Sequence, residues 1–325
     1  MRGIVLCGFL SLRFLVAQQS TLTGPVEGFT FDLPTGSFRA VIGLPGAASL
    51  GPPLLSQFEF GSVSPGKDYG IAFTGGHAIL VSQFGSGQAL TSELSDAARQ
   101  PEGVVWSADG SQALLYSLSG GWIQRVVGLP DTARFESAID LSPLGGTVAA
   151  VAADPLGTRI AVAIQGNNSG VYVMDGNRDF VSIRPTGKPI ALAFSEDGQK
   201  LYILDGDTLQ LSELSLGDSN SRGCSIDGLQ DPIAIQVAHD AANRPVLYVA
   251  ARGDRLVRTY DVSSFQVLAN TPLDFEPTAI QAFGQHSFLL GPRLHDGDPL
   301  WCFTNVPQLR VYFVPATPLI SERTE

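Results

Sequence analysis

Charged residues are scarce in this chain. Asp, Glu, Lys and Arg make up 16% of its 325 residues, against about 25% in typical soluble domains. The 31 acidic residues outnumber the 20 basic ones, which gives a formal net charge of −11. Because nucleic-acid-binding domains present a basic face, this balance argues against binding to DNA, RNA or an anionic membrane.

Motifs for metals and cofactors are also missing. The chain has three cysteines and four histidines, and these lack the short spacings of an ordinary zinc cluster. It contains no Walker loop, dinucleotide fingerprint, nucleophile elbow or haem-attachment motif. The stretch from Asp175 resembles the start of a calcium loop, but Phe180 and Thr186 stand where that loop needs glycine and glutamate. We therefore predict no cofactor and no metal site.

The first 17 residues have the composition of a secretory signal. A basic start precedes an apolar run that ends at Ala17 and is too short to span a bilayer permanently. We predict a signal peptide at 1–17, a linker at 18–28, and a secreted or periplasmic protein with no membrane span. A buried first strand or a mispredicted start is the alternative, because Arg13 interrupts the apolar run and Leu15 is large for a position near a cleavage site.

Glycine, in contrast, is abundant, with 36 residues, or about 11% against a usual 7%. Glycine adopts the positive φ angles that tight turns need and weakens helix interiors. An all-β protein is therefore expected.

A turn signal recurs along the chain at nearly constant spacing, and its clearest copies are Ser107-Ala-Asp-Gly110 and Ser195-Glu-Asp-Gly198. The corresponding turn residues lie 44, 47, 41, 45 and 42 residues apart, at Gly66, Gly110, Gly157, Gly198, Asn243 and Gln285. Prolines precede the same apolar strand in four copies, at positions 101, 189, 232 and 277. Four short strands in each period of about 40–45 residues are the signature of β-propeller blades.

These repeats predict one β-propeller domain at 29–316, followed by a C-terminal tail at 317–325. Six complete repeats span 59–316. Ahead of them, residues 29–42 resemble a hairpin shaped like the third and fourth strands of a further blade, which would close the ring and remove open edges. Six and seven four-stranded blades both fit, and seven with one incomplete blade is favoured. A helical solenoid is excluded because no 3.6-residue periodicity persists.

The block Phe194-Ser-Glu-Asp-Gly-Gln-Lys-Leu-Tyr-Ile-Leu204 resembles the bacterial YVTN-type β-propeller repeat, a member of the WD-repeat-like and lactonase-like propeller superfamily. The similarity extends more loosely over most of 59–290, without the Thr-Asn that often follows Tyr-Val. The family includes surface-layer proteins, cytochrome-like propellers and lactonase-like enzymes. The resemblance therefore implies a fold and an exported location but no particular activity.

Two cysteines, Cys224 and Cys302, would remain after removal of the signal, and the net charge would become 18 − 31 = −13. They lie 302 − 224 = 78 residues apart, nearly two repeats, so we expect them in different blades. A disulfide is one interpretation in an exported protein. Two isolated buried thiols is the favoured one, since free cysteine packs as a small hydrophobe.

The candidate site is a rim of loops that join the second and third strands of the blades. Loops held by a rigid scaffold are where binding residues usually lie. The last three copies place acidic and basic side chains on one side of this rim, at Asp205, Asp207, Arg252, Asp254, His295, Asp296 and Asp298. The alternative is that these Asp-Gly loops are turn chemistry alone.

The leading hypothesis is an exported, monomeric, non-catalytic module that binds a protein, glycan or small ligand on the loop face. The alternative is a lactonase-like or sugar-hydrolase-like enzyme with a site at the central channel, which leaves no local motif. A channel lined by His and several carboxylates would favour the enzyme, whereas a channel lined by Ala, Val and Gly would favour the binding module. A self-associating surface-layer protein is a third interpretation.

Overall fold

Seven antiparallel sheets are arranged in a ring as the blades of a β-propeller. The computed structural model describes residues 24–176, 179–218, 220–284, 286–306 and 309–316. In these ranges the only helices are three single 3₁₀ turns, and none is long or apolar enough to cross a bilayer. The all-β fold and the favoured count of seven blades are confirmed. The predicted signal at 1–17 and tail at 317–325 lie outside the described residues.

The blades follow one another along the chain. Blade one contains β1 (Val26–Asp32), β2 (Ser37–Ile42) and β3 (Ser49–Leu55). Blade two contains β4 (Phe60–Val63), β5 (Gly70–Thr74), β6 (His77–Ser82) and β7 (Leu90–Leu94). Blade three contains β8 (Gly103–Trp106), β9 (Gln112–Ser117), β10 (Trp122–Val127) and two short outer strands, β11 (Arg134–Phe135) and β12 (Ile139–Asp140), which both pair with β10.

The remaining four blades contain four strands each. Blade four contains β13 (Thr147–Ala153), β14 (Arg159–Gln165), β15 (Gly170–Asp175) and β16 (Val181–Pro185). Blade five contains β17 (Pro189–Phe194), β18 (Lys200–Asp205), β19 (Gln210–Ser215) and β20 (Ser221–Ser225). Blade six contains β21 (Pro232–His239), β22 (Pro245–Ala251), β23 (Leu256–Asp261) and β24 (Val267–Pro272). Blade seven contains β25 (Gln281–Ala282), β26 (Ser287–Leu289), β27 (Leu300–Thr304) and β28 (Arg310–Val314).

The recurring turn signal joins the first and second strands and is held by its own side chains. The Asp109 carboxylate accepts hydrogen bonds from the Ser107 hydroxyl at 2.8 Å and from the Ser111 amide at 2.9 Å. The next residue, Gly110, has a φ of 80°, which side chains with a Cβ rarely adopt. The turn therefore needs this order of residues. For that reason, the spacing of the turn signal along the sequence matches the spacing of the blades.

Burial follows the order of strands within a blade. The second strands β14, β18 and β22 are buried along almost their whole length, while the fourth strands β16, β20 and β24 are largely exposed. The first strands, although apolar in sequence, are less uniformly enclosed than the second. Several of them are only half-buried, as in β4 and β8, because the innermost strands face the centre of the ring.

Blade one is built from the N-terminal hairpin and a third strand. The β1–β2 turn lies on the same side of the ring as the connection into blade two, since the Phe58 amide donates to the Gly36 carbonyl at 3.0 Å. The strand β1 therefore runs in the direction of the second strands, and the hairpin supplies strands two and three of its blade. The expectation of strands three and four was wrong because β3, which contains Pro52 and Pro53, was not recognised as a strand. Proline cannot donate to the ladder and is tolerated at such a sheet edge.

The ring closes through a buried cluster of charges between blades one and seven. The Asp32 carboxylate is fully buried and bonds Arg39 of β2 at 3.0 Å and Arg293 of the β26–β27 loop at 2.5 Å. The guanidinium of Arg39 also donates to the Gly51 carbonyl, and that of Arg293 to the Asp298 carbonyl. The predicted closure by the N-terminal hairpin is confirmed, and one carboxylate joins the first blade to the last.

We expect Asp32→Asn to lower the free energy of unfolding by about 3–5 kcal/mol, because two buried guanidinium groups lose their counter-charge. Urea unfolding followed by tryptophan fluorescence measures the change. The matched control is Glu276→Gln, which removes an exposed ion pair with Arg255 and should cost less than about 1 kcal/mol. Equal effects of the two variants would show that the cluster does not hold the ring closed.

Candidate functional site

The loop face carries the connections between second and third strands together with the connections that enter each blade. The two kinds of connection are hydrogen-bonded to each other in successive blades. The Glu59 carboxylate accepts from the Gly75 amide at 3.1 Å, and the Glu102 carboxylate accepts from the Leu118 amide at 2.9 Å. The loop face is thus a set of braced loops on a rigid ring, which suits it to present side chains in fixed positions.

In blade five, Asp205 braces its loop from the inside. Its side chain is 5% exposed and accepts hydrogen bonds from the Thr186 hydroxyl and from the amides of Asp207 and Thr208 at 3.0 and 2.9 Å. Burial raises the pKa of the Asp205 carboxyl, but the hydrogen bonds from Thr186, Thr208 and the Lys188 amide outweigh it and the pKa is lowered. Asp205 therefore fixes the loop as an anion and presents little surface to a partner.

In the same loop, Asp207 is exposed. Its carboxylate makes no hydrogen bond or ion pair within the described part of the chain. Asp207 is therefore free to meet a partner.

In blade six, both predicted residues are tied to the connection from blade five. The Asp254 carboxylate accepts from the Gln230 amide at 2.6 Å. Arg252 forms an exposed ion pair with Asp231 at 2.6 Å, and this hydrogen bond raises the pKa of the guanidinium. The side chains brace the loop, yet Arg252 and Asp231 stay about half-exposed, so they also remain accessible to a ligand.

In blade seven, the predicted residues form a closed loop around Arg293. The Asp298 carboxylate accepts from the His295 ring at 3.0 Å, and this bond lowers the pKa of Asp298. The Arg293 guanidinium donates to the backbone carbonyls of Asp296 and Asp298. The His295 side chain is 81% exposed and that of Asp296 is 71% exposed. The tip of this loop therefore points outward while its base is bonded to blade one.

The structure places the seven predicted residues in corresponding loops of blades five, six and seven, but it does not join them into one cluster. No hydrogen bond or ion pair joins one of these three loops to the next within the described ranges. Those ranges also contain no group of three His, Cys, Asp or Glu side chains placed to hold a metal ion. The arrangement can present separate charges to an extended partner surface.

Sequence reasoning missed the acidic residues of the inter-blade connections. Glu102, Asp231 and Glu276 stand next to the repeating prolines, and each bonds a loop between second and third strands directly. The sequence did contain a pattern that could have identified these residues, because an acidic residue lies beside the proline in three repeats. These residues add negative charge to the same face.

The innermost strands of blades two to seven carry no Asp, Glu, Lys or Arg. They consist mainly of Gly, Ala, Val and Ile, as in Thr147–Ala153 and Pro189–Phe194. In the described residues, the charge of the loop face is thus not continued along these strands.

The two cysteines lie in different blades, as predicted. Cys224 is half-buried in blade five and Cys302 is buried in blade seven, and both are free thiols. Burial raises the pKa of each.

No protein-family model matches the chain, and no curated protein matches it.

We expect Asp205→Asn to lower the free energy of unfolding at pH 7 by about 1–3 kcal/mol, because several donors lose a charged acceptor. The folded pKa of Asp205 lies below its ordinary value of 3.8, so the stabilisation is present above about pH 4 and is lost as the pH falls through the folded pKa. Urea unfolding between pH 7 and pH 3 should show the two proteins converging. The control Asp207→Asn alters an exposed carboxylate two residues away, and an equal loss there would contradict the assignment.

Proposed function

We propose that the protein is an exported, monomeric propeller of the YVTN type that binds a protein, glycan or small ligand through its loop face. Support comes from the contrast between innermost strands without charged residues and a loop face with exposed Asp207, Arg252, His295 and Asp296. A catalytic site needs convergent polar groups with matched pKa values. A rim of separated charges on braced loops instead suits recognition of a surface.

The charge of the rim favours a positively charged partner. Among the predicted rim residues, Arg252 is neutralised by Asp231 and the exposed Asp296 carboxylate lies 3.7 Å from the buried Arg293 guanidinium, whereas Asp207 is an exposed carboxylate with no ion pair in the described residues. Complementary charge steers encounter and suppresses wrong partners more than it adds raw affinity. A basic patch on a protein or an amine-bearing ligand is therefore favoured over a polyanion such as nucleic acid.

We expect the double variant Asp207→Lys/Asp296→Asn to lower partner recovery by about tenfold or more, since repulsion replaces attraction at one loop and attraction is removed at the other. The measurement is quantitative mass spectrometry of proteins captured from the secreted fraction by the purified, monomeric chain. The control Asp68→Lys/Asp131→Asn makes the same change of charge at exposed residues on the opposite face. Deleting the whole loop at 291–298 is a poor control because it removes Arg293, which closes the ring.

Two results would contradict the binding role. One is an equal change in the recovery of captured proteins with both double variants, which would place recognition outside the rim. The other is turnover of a lactone or glycoside panel by the purified protein, which would favour the enzyme.

Export predicts a defined mature N-terminus. The basic start and the apolar run of residues 1–17 support cleavage after Ala17. Mass spectrometry of the secreted protein should find Gln18 as its first residue and no peptide from 1–17. Recovery of the intact N-terminus on a soluble intracellular protein would overturn the proposal of export while leaving that of binding untouched.

A further inference from the structure

Blade one has three strands where the other blades have four or five. Its hairpin supplies the second and third strands and β3 supplies the fourth, so in the described residues no strand pairs with the inner edge of β1. The second strands of blades five and six, β18 and β22, are buried along almost their whole length, whereas Phe29 and Phe31 of β1 are only half-buried. An unpaired edge of this kind is a template for a further strand.

The residues after β28 continue the proline spacing of the repeat. Prolines open the first strands of blades five and six at Pro189 and Pro232, and Pro277 precedes the first strand of blade seven. The next member of this series is Pro318, and the steps from Pro189 onward are 43, 45 and 41 residues. Apolar residues follow Pro318, as they follow the earlier prolines. The sequence therefore contains the start of one more first strand.

The connection from blade seven has the length that such a strand needs. Three residues separate the end of β16 from Pro189 in the connection between blades four and five. Three residues, 315–317, likewise separate the end of β28 from Pro318. Pro315 already contacts blade one, because its carbonyl accepts from the Leu50 amide at 3.4 Å. The chain thus leaves blade seven towards the blade that has the open edge.

Blade five shows how a first strand pairs with a second strand. Pro189 lies opposite Asp205, the last residue of β18, and after a one-residue bulge Leu192 lies opposite Ile203. The preceding connection is bonded to the loop beyond β18, because the Gly206 amide donates to the carbonyl before Pro189 at 2.8 Å. These contacts give the register that a first strand of blade one would follow.

In blade one, Asp32 corresponds to the last residue of β18, since each pairs with the residue five positions later on its third strand. In this register, Pro318 would lie opposite Asp32, and Ser321 would lie opposite Thr30. The Leu33 amide would then donate to the carbonyl before Pro318.

The far half of β1 is covered by blade seven. A Cβ on Gly28 would lie 2.8 Å from the ring of Phe283, and the Gly66 amide of blade two donates to the Phe283 carbonyl at 3.3 Å. Blades two and seven therefore meet at this end, and the open edge is confined to the half of β1 nearest the loop face. Its residues Phe29–Asp32 match a strand at 318–322 in which one residue is bulged.

We propose that residues 318–322, which lie outside the described ranges, form the innermost strand of blade one and pair antiparallel with Phe29–Asp32. Ile320 then packs against Phe31 on the side of blade two, because Phe31 corresponds to Leu204, which faces the following blade in blade five. Ring closure uses both ends of the chain. The strand involves no residue of the rim, so it is independent of the proposed recognition on the loop face.

The first test is disulfide formation in the full chain. Thr30→Cys/Ser321→Cys places two cysteines opposite each other, at the Cα separation of about 4.5–5.5 Å between paired strands, which a disulfide can span. In the matched control Thr30→Cys/Glu322→Cys, the second cysteine lies on the other face of the strand, because side chains alternate. Tandem mass spectrometry of the oxidised, unreduced protein should find the intrachain link at least about tenfold more often in the first variant.

Equal linking in the two variants, or no linking in either, would show that this segment does not pair with β1 and would overturn the proposal. A link between two chains would overturn it as well, because it would assign the strand to a second copy. Circular dichroism checks that both variants are folded.

The second test is hydrogen–deuterium exchange of the full chain and needs no cysteine. Ile320→Asp places a charge against Phe31 and should speed amide exchange in Phe29–Asp32 by about tenfold, because the strand then separates more easily. The matched control Thr324→Asp adds the same charge two residues beyond the strand and should leave this exchange unchanged. Protection of Phe29–Asp32 that neither variant alters would assign the edge to another segment, such as 18–23, and would overturn the proposal. Absence of protection in the native chain would also overturn it.

Discussion

The fold depends on covering every blade face with a neighbour, and a ring can do this only if its last blade meets its first. Hydrophobic contact supplies that cover around most of the circle, in clusters that span adjacent blades such as Leu204 with Leu247. At the seam, blade one contributes three described strands. There a buried carboxylate is shared by Arg39 and Arg293. Because a buried charge without a partner is costly, this seam tolerates few alternative arrangements.

The propeller was predictable because its turns need particular residues in a fixed order. Asp109 and Gly110 each satisfy a local requirement, a carboxylate acceptor and a positive φ. The residue with positive φ recurs in blades two to six and marks the period. The first blade was harder to predict, since the two prolines of β3 resemble a loop. Arg293 could not be assigned at all, because its partner Asp32 is 261 residues away in sequence.

At the candidate site, too, one part was predictable from the sequence and another part was not. The sequence located the loops of blades five to seven correctly, but it could not separate carboxylates that brace a loop from those that are free. Asp205 and Asp207 are two residues apart in one Asp-Gly-Asp motif. One is buried under hydrogen bonds from another connection, whereas the other is exposed. That difference depends on Thr186, which lies in the connection between β16 and β17 and donates a hydrogen bond to the Asp205 carboxylate.

The state of the two thiols has a practical consequence. The thiolate is the reactive form of cysteine, and burial raises the pKa of Cys224 and Cys302, which lie in blades five and seven with blade six between them. The buried Cys302 thiol is therefore slow to react in the native ring, whereas Cys224 is only half-buried, and an unfolded chain exposes both. The rate at which a thiol reagent labels Cys302 therefore measures how often its blade opens.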